Sequence, residues 1–355
     1  MCLRLHSSTF AVSERAELQC LSEVSKAKSK NRMLYPLKFK PILFPKIWGG
    51  NRIKNFHSEG EKLENIGESW EVSAVEGYCS EVANGFLAEN TLDELVEVYL
   101  GELVGDKIFN EYGEFPLLVK IIDATQNLSI QVHPNDEIAA ERHDSFGKTE
   151  MWYVLDAEPN SFIIAGFCKK ITEKEYLKAV ENNTIEDYLK KIPIKKGDVI
   201  FIPAGCIHAI GAGSLILEIQ QSSDVTYRIF DYNRLDNNGL PRELHTELAI
   251  DAIDFDNWEH NKIVPKILPN TISKLVDCEY FTTNILEIDQ KFELDLTKIF
   301  SFVLLSVVEG EIVCEYFNEK IEVKVLETIL IPAEMNGVTI IPKGKAKILK
   351  TFINN

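Results

Sequence analysis

KKGDVIFIPAGCIHAIGAGSLILEIQQ (195–221) is the stretch from which the fold can be read. The apolar run Val199–Ile202 stops at Pro203. A glycine-rich turn then carries His208, and a second apolar run follows over 215–219. Short β-branched runs bounded by Gly and Pro read as strands rather than helices. The same layout recurs in LETILIPAEMNGVTII (326–341). Aligning Pro203 with Pro332 sets His208 opposite Gly337. A repeated strand, Pro turn and strand predicts two related β-domains, with a potential ligand only in the first.

Working outward, further strands are expected at 117–122, 128–132, 151–155, 161–164 and 225–230. After a break over 254–270, others follow at 281–288, 302–308, 311–316, 321–325, 328–331 and 338–341. Such a series is all-β and favours an antiparallel barrel or sandwich over alternating βαβ units. Short helices interrupt it. Thr91 with Glu94, and Thr172 with Glu175, form capping boxes ahead of apolar residues on one helical face. His245-Thr246-Glu247 opens a third helix. Residues 1–32 turn polar and basic before a sharp change at Met33, and are expected to be a flexible extension.

The chain of 355 residues is 45% apolar and 26% charged, enough for a sizeable core. Its net charge of -17 argues against a nucleic-acid surface, which needs a basic stripe. A small anionic substrate stays possible, because a few cations in a cleft set the local sign. Seven scattered cysteines without a CxxC pair read as reduced thiols in a cytoplasmic protein. No apolar run approaches the roughly 18 residues of a membrane span.

Four segments carry chemistry. In SIQVHPND (129–136), strand alternation turns Leu128, Ile130 and Val132 one way and Gln131 and His133 the other. In GKTEMWYVL (147–155), Lys148, Glu150 and Trp152 share a face. His208 sits between two strong strands. Each alone has an ordinary structural reading. Together, Gln131, His133, Glu150 and His208 supply two nitrogen and two oxygen ligands, a set that suits one zinc ion and would accept other divalent metals. In LEIQQSSDVTYRIFDYNR (217–234), Arg228 lies opposite an apolar strand face, placed to bind phosphate or developing negative charge, or else to make a surface ion pair. Lys120 stands alone in the apolar PLLVKIID. Trp48-Gly49-Gly50 reads as a tight turn, and GESWEVS (67–73) as a cleft wall or a rim of paired charges.

These motifs, with KPILFPKIWGG (40–50) and PLLVKIIDATQNLSIQVHPND (116–136), make the chain resemble type I mannose-6-phosphate isomerases, particularly the shorter bacterial form. The resemblance spans about 34–355 and weakens after 260. It implies two cupin-like jelly rolls: a catalytic one over 33–260, with helical insertions at about 90–110 and 168–192, and a metal-free one over 261–355. It implies zinc held by Gln131, His133, Glu150 and His208. It implies interconversion of mannose 6-phosphate and fructose 6-phosphate through an enediolate. Lys148, Arg228 and Glu218 fall on the family's catalytic positions. Lys120, Lys148 and Arg228 are expected to bind substrate, with Glu218 as the proposed proton carrier. The long form's helical domain is reduced here to 168–192, which would leave a more open cleft. The expected assembly is a monomer or weak homodimer without membrane or nucleic-acid partners. A non-enzymatic sugar-binding or regulatory cupin is the main rival. A cupin oxygenase is a second, though the Gln ligand argues against its usual iron and richer imidazole set.

Overall fold

A computed structural model describes residues 33–57, 62–235, 239–256 and 262–354. The expected extension over 1–32 lies outside the described residues. Strands dominate and build two double-sheet sandwiches. In the first, a seven-stranded sheet runs Lys262–Ile263, Val199–Ile202, Glu150–Ala157, Ser214–Gln221, Leu117–Ala124, Ile42–Gly50, Ile66–Val72. It faces a five-stranded sheet ordered Leu189–Pro193, Phe162–Phe167, His208–Ile210, Ile130–Val132, Tyr227–Phe230. The second sandwich pairs a six-stranded sheet (Leu37–Lys38, Thr328–Ile331, Val303–Glu309, Ala346–Phe352, Thr282–Ile288, Ile272–Asp277) with a four-stranded one (Phe292–Asp295, Gly337–Pro342, Ile312–Tyr316, Glu319–Val323).

The two sandwiches share one strand layout, the first carrying one more strand in each sheet. In the first, Val199–Ile202 lies in the large sheet and the chain crosses at Pro203 to His208–Ile210 in the small one. In the second, Thr328–Ile331 crosses at Pro332 to Gly337–Pro342 in the same way. The echo in the sequence is therefore a true structural repeat. Each sandwich also takes a two-residue edge strand from outside its main run. Lys262–Ile263 pairs with Val199 and Ile200, and Leu37–Lys38 pairs with Ile329 and Leu330.

Apolar packing fixes the arrangement at three levels. Ile122, Trp152, Val154, Ile163, Ile202 and Ile216 fill the first sandwich. Leu286, Val303, Leu305, Ile312, Ile329 and Ile348 fill the second. Between the units, the outward residues of the large sheet (Val119, Ile121, Met151, Leu217) meet Phe302, Leu304, Leu330 and Leu349 in one continuous cluster. The Phe115 and Phe302 rings lie 4.4 Å apart there. Burying each such side chain contributes about 1.5–3 kcal/mol, so the interface is a core rather than a loose contact.

The helices form where the capping boxes place them. Thr91 caps Leu92–Tyr99, and its amide donates to Glu94 Oε2 at 2.9 Å. The helix buries Leu92, Leu95, Val96 and Tyr99, the i, i+3, i+4, i+7 stripe. Thr172 and Glu175 close the second box on Glu173–Glu181. This helix, with Thr246–Ala252, covers the outer face of the five-stranded sheet at Ile130, Val132, Tyr227 and Ile229. One expectation fails locally. Gly49 and Gly50 continue a strand instead of turning, and the Asn65 backbone at one and the Asp123 carboxylate at the other leave no room for a side chain. A Cβ on Gly49 would sit 2.1 Å from the Asn65 carbonyl oxygen.

Candidate active site

The ligand positions converge because strand register brings them together. Gln131 is the cross-strand partner of His208, and Arg228 is the partner of Gln131 on its other side. Glu150 opens the neighbouring strand of the facing sheet, opposite Ile202. The Pro203 turn then delivers His208. Gly205 adopts a φ of 83° there, and its amide donates to the His133 carbonyl at 2.9 Å, tying the turn to the other histidine strand.

One ligand atom each from His133, Glu150 and His208 lies within 4.8 Å of the others, and all three residues are buried. Glu150 Oε2 is 3.5 Å from His133 Nε2, and Oε1 is 3.3 Å from His208 Nε2. The other ring nitrogens are committed: His133 Nδ1 donates to the Val225 carbonyl at 2.9 Å and His208 Nδ1 to that of Cys206 at 2.8 Å. That leaves each Nε2 lone pair facing inward. Gln131 completes the set, its amide 3.3 Å from His208 Nε2. A half-turn of that amide presents its oxygen.

The electrostatics ask for a cation. Burial, reinforced by Lys148, holds His133 well below its ordinary value, and burial holds His208 at about 3, so both rings are neutral. Burial and the Glu218 charge push Glu150 up to about 8. Both Glu150 oxygens are buried without a hydrogen-bond partner. Such an orphaned carboxylate is costly. A divalent ion resolves all of this at once, since it needs neutral imidazoles and an ionised carboxylate. The donor set fits.

Above this floor opens a cavity of about 240 Å³. Its cations are Lys46, Lys120, Lys148, Arg228 and Arg242, against the carboxylates Glu68, Glu218 and Asp224. The cleft is thus locally positive in a chain of net charge -17. Lys148 Nζ stands 3.1 Å from His133 Nε2 and 3.5 Å from Glu150 Oε2. Glu218 accepts from Trp152 Nε1 at 2.8 Å and pairs with Lys120 at 3.6 Å. Burial, with Lys148 nearby, lowers Lys120 from the usual lysine range, and its ammonium rests 4.8 Å above the Trp70 ring. Arg228 donates to the Glu243 carbonyl at 2.9 Å, while its buried Nε has no partner.

Every residue named from the sequence lies at this site. Lys120, Gln131, Lys148, Glu218 and Arg228 line the cavity, and His133, Glu150 and His208 lie beneath it. Leu128 departs from its expected face: the strand starts only at Ile130, so Leu128 joins the cavity wall. Trp48, read as a turn anchor, and Trp70 and Glu68 of GESWEVS are cavity walls too. Arg242 and Asp224 carried no sequence signal. Arg242 arrives on a loop held by Asp231, which accepts from it at 2.7 Å.

The second sandwich lacks the equivalents. Asp295 pairs with Gly337 as Gln131 pairs with His208, and Val303 pairs with Ile331 as Glu150 pairs with Ile202. Thr297 takes the His133 position. The set is thus Asp, Thr, Val and Gly, and residues 271–355 contain no histidine.

The family model of the phosphomannose isomerase type I catalytic domain matches residues 37–160. That of the mannose-6-phosphate isomerase cupin domain matches 271–353. Mannose-6-phosphate isomerase ManA of Bacillus subtilis is 38% identical over 287 residues, covering 78% of this chain and 86% of that protein. The mannose-6-phosphate isomerase of Streptococcus mutans is 37% identical over 282 residues, 79% of this chain and 86% of that one. A crystal structure of the mannose 6-phosphate isomerase from Bacillus subtilis superposes with a TM-score of 0.81 at 34% identity, covering 90% of this chain and 100% of that chain.

Proposed function

The chain belongs to the type I phosphomannose isomerase family, and we propose that it interconverts mannose 6-phosphate and fructose 6-phosphate at the cavity described. The observation that carries the reading is the buried Glu150 carboxylate, without a hydrogen bond to either oxygen, between two neutral imidazoles at the floor of a positive cleft. Gln131, His133, Glu150 and His208 would hold one zinc ion, a metal whose preferences match two imidazoles and two oxygens. When bound, the metal supplies Lewis acidity toward the sugar oxygens.

The remaining work falls to the side chains. Aldose–ketose isomerisation moves one proton between adjacent carbons and accumulates negative charge on two oxygens. Glu218 takes and returns the proton at Oε1, the oxygen not occupied by Trp152. Lys120 pairs with that same Oε1 at 3.6 Å, and burial lowers it from the usual lysine range. Lys148, beside the metal ligands, neutralises charge on the enediolate oxygens. Arg228 lines the cavity with its buried Nε unpartnered, and its guanidinium would donate to a phosphate or enediolate there. Trp48, Trp70 and Trp152 wall the cleft and keep bulk water from the intermediate.

A sugar-binding module without catalysis would need neither an orphaned carboxylate nor a Glu–Lys pair in the same cavity. No helix among the described residues is long and apolar enough to cross a membrane. The enzyme works in the cytoplasm as a monomer or weak homodimer in this reading. The test is a coupled assay of mannose 6-phosphate turnover on the purified chain, with elemental analysis of the same sample. Turnover with about one zinc per chain is expected. A folded chain without either sinks the proposal.

A further inference from the structure

Lys148 and Glu150 flank Thr149, so whatever holds Thr149 aims both. Its backbone amide donates to Gln221 Oε1 at 2.8 Å, and its carbonyl accepts from the Gln221 amide at 3.2 Å. The Gln221 side chain is itself fixed, donating through Nε2 to Asp136 Oδ1 at 2.9 Å. The same Asp136 oxygen accepts from the Gly147 amide at 2.8 Å, one residue before Lys148. Gly147 has no room for a side chain: a Cβ would lie 2.6 Å from the Asp136 nitrogen. Asp136 is thus the common anchor of the segment that carries two of the site's charged groups.

Its second oxygen is taken from the other sandwich. Tyr280 Oη donates to Asp136 Oδ2 at 2.6 Å across 144 residues of sequence. Tyr280 lies in the turn between Ile272–Asp277 and Thr282–Ile288, next to the fully buried Phe281, whose carbonyl accepts from the Cys278 amide at 3.0 Å. A tight turn on an anchored hairpin holds the hydroxyl firmly. We infer that Tyr280 is a positioning residue supplied by the metal-free domain, which orients Lys148 and Glu150 through Asp136 and Gln221. The second sandwich then does more than stabilise the first: it completes the support of the site. This inference rests on the metal-site reading above.

The experiment uses the full chain and the variant Tyr280→Phe, which keeps the ring and loses only the hydroxyl. Cobalt(II) serves as the spectroscopic probe of the metal site, alongside steady-state kinetics with mannose 6-phosphate. The expected result is a fall in kcat of about 10-fold, the loss typical of one hydrogen bond to a charged group, with KM within about 2-fold. Weaker cobalt binding and an altered visible spectrum should accompany it. Tyr35→Phe is the control. It removes a hydroxyl that donates to the Asn84 carbonyl at 2.8 Å in the same interdomain core, and should lower Tm without touching kcat or the spectrum. Wild-type kcat and cobalt affinity in Tyr280→Phe would overturn the inference, as would an equal loss of kcat in Tyr35→Phe. Failure of the unmodified chain to bind cobalt would overturn the metal assignment, and the inference with it. An unaltered Tyr280→Phe in a cobalt-binding background overturns the inference alone.

Discussion

Arg228 offers the most informative single substitution. Its guanidinium sits at the cavity wall with one nitrogen committed to the Glu243 carbonyl and a buried Nε left unpartnered. Burial, and then the neighbouring Arg242 charge, lower its pKa from the usual arginine value, so an anionic ligand would relieve a disfavoured cation there. A charge-assisted hydrogen bond is worth about 1.5–3 kcal/mol, which converts to roughly 10- to 150-fold in kcat/KM if made in the transition state. Arg228→Ala should lose at least that range. Arg228→Lys keeps the charge but not the fork and should still lose about 10-fold. Steady-state kinetics separate the roles. A rise in KM alone marks uniform phosphate binding, whereas equal falls in kcat and kcat/KM mark stabilisation of the intermediate. Circular dichroism and metal content control for folding. A folded, metal-loaded Arg228→Ala with wild-type constants refutes the reasoning and returns the arginine to a strand-surface role.

Three other outcomes follow from the same geometry. His208→Ala removes one imidazole and should cut metal affinity about 10-fold or more and abolish turnover, with far-UV circular dichroism unchanged; retained turnover would contradict the ligand set. Metal titration should saturate near one equivalent per chain, because Asp295, Thr297, Val303 and Gly337 replace the ligands in the second sandwich; a second tight equivalent lost on mutating Asp295 would contradict the repeat argument. Phe302→Ala empties a fully buried ring from the core shared by both sandwiches and should cost about 3–5 kcal/mol in denaturant unfolding; a loss below about 1 kcal/mol would show that the interface is not a true core.

Much of the site was legible because period-2 alternation is a strong signal. Gln131 between Ile130 and Val132, Glu150 with Trp152, and Arg228 against Tyr227 and Ile229 take the faces that strand geometry dictates, with His133 and Lys148 just beyond their strand ends. The repeat around Pro203 and Pro332 was legible from its strand, Pro turn and strand layout. What escaped depends on distant chain. The helix Asp136–His143 buries only Ala139 and shows no apolar stripe; the Asn135 cap and the acids at its start hold it instead. Trp48 looked like an anchor for a turn because two glycines follow it, yet those glycines exist to let strands approach. Arg242 reaches the cavity on a loop, where it bonds to Asp231 eleven residues back. No local pattern announces that Tyr280 will reach Asp136.

The central claim is metal-dependent isomerisation of a sugar phosphate at the Gln131, His133, Glu150 and His208 centre. The most direct measurement is mannose 6-phosphate turnover by the intact chain before chelation, after exhaustive chelation and after readdition of zinc, with metal content measured at each stage. The expected result is activity that falls with the metal and returns with it, near one equivalent per chain. Undiminished turnover in the stripped protein, or none in the fully loaded one, would contradict the account.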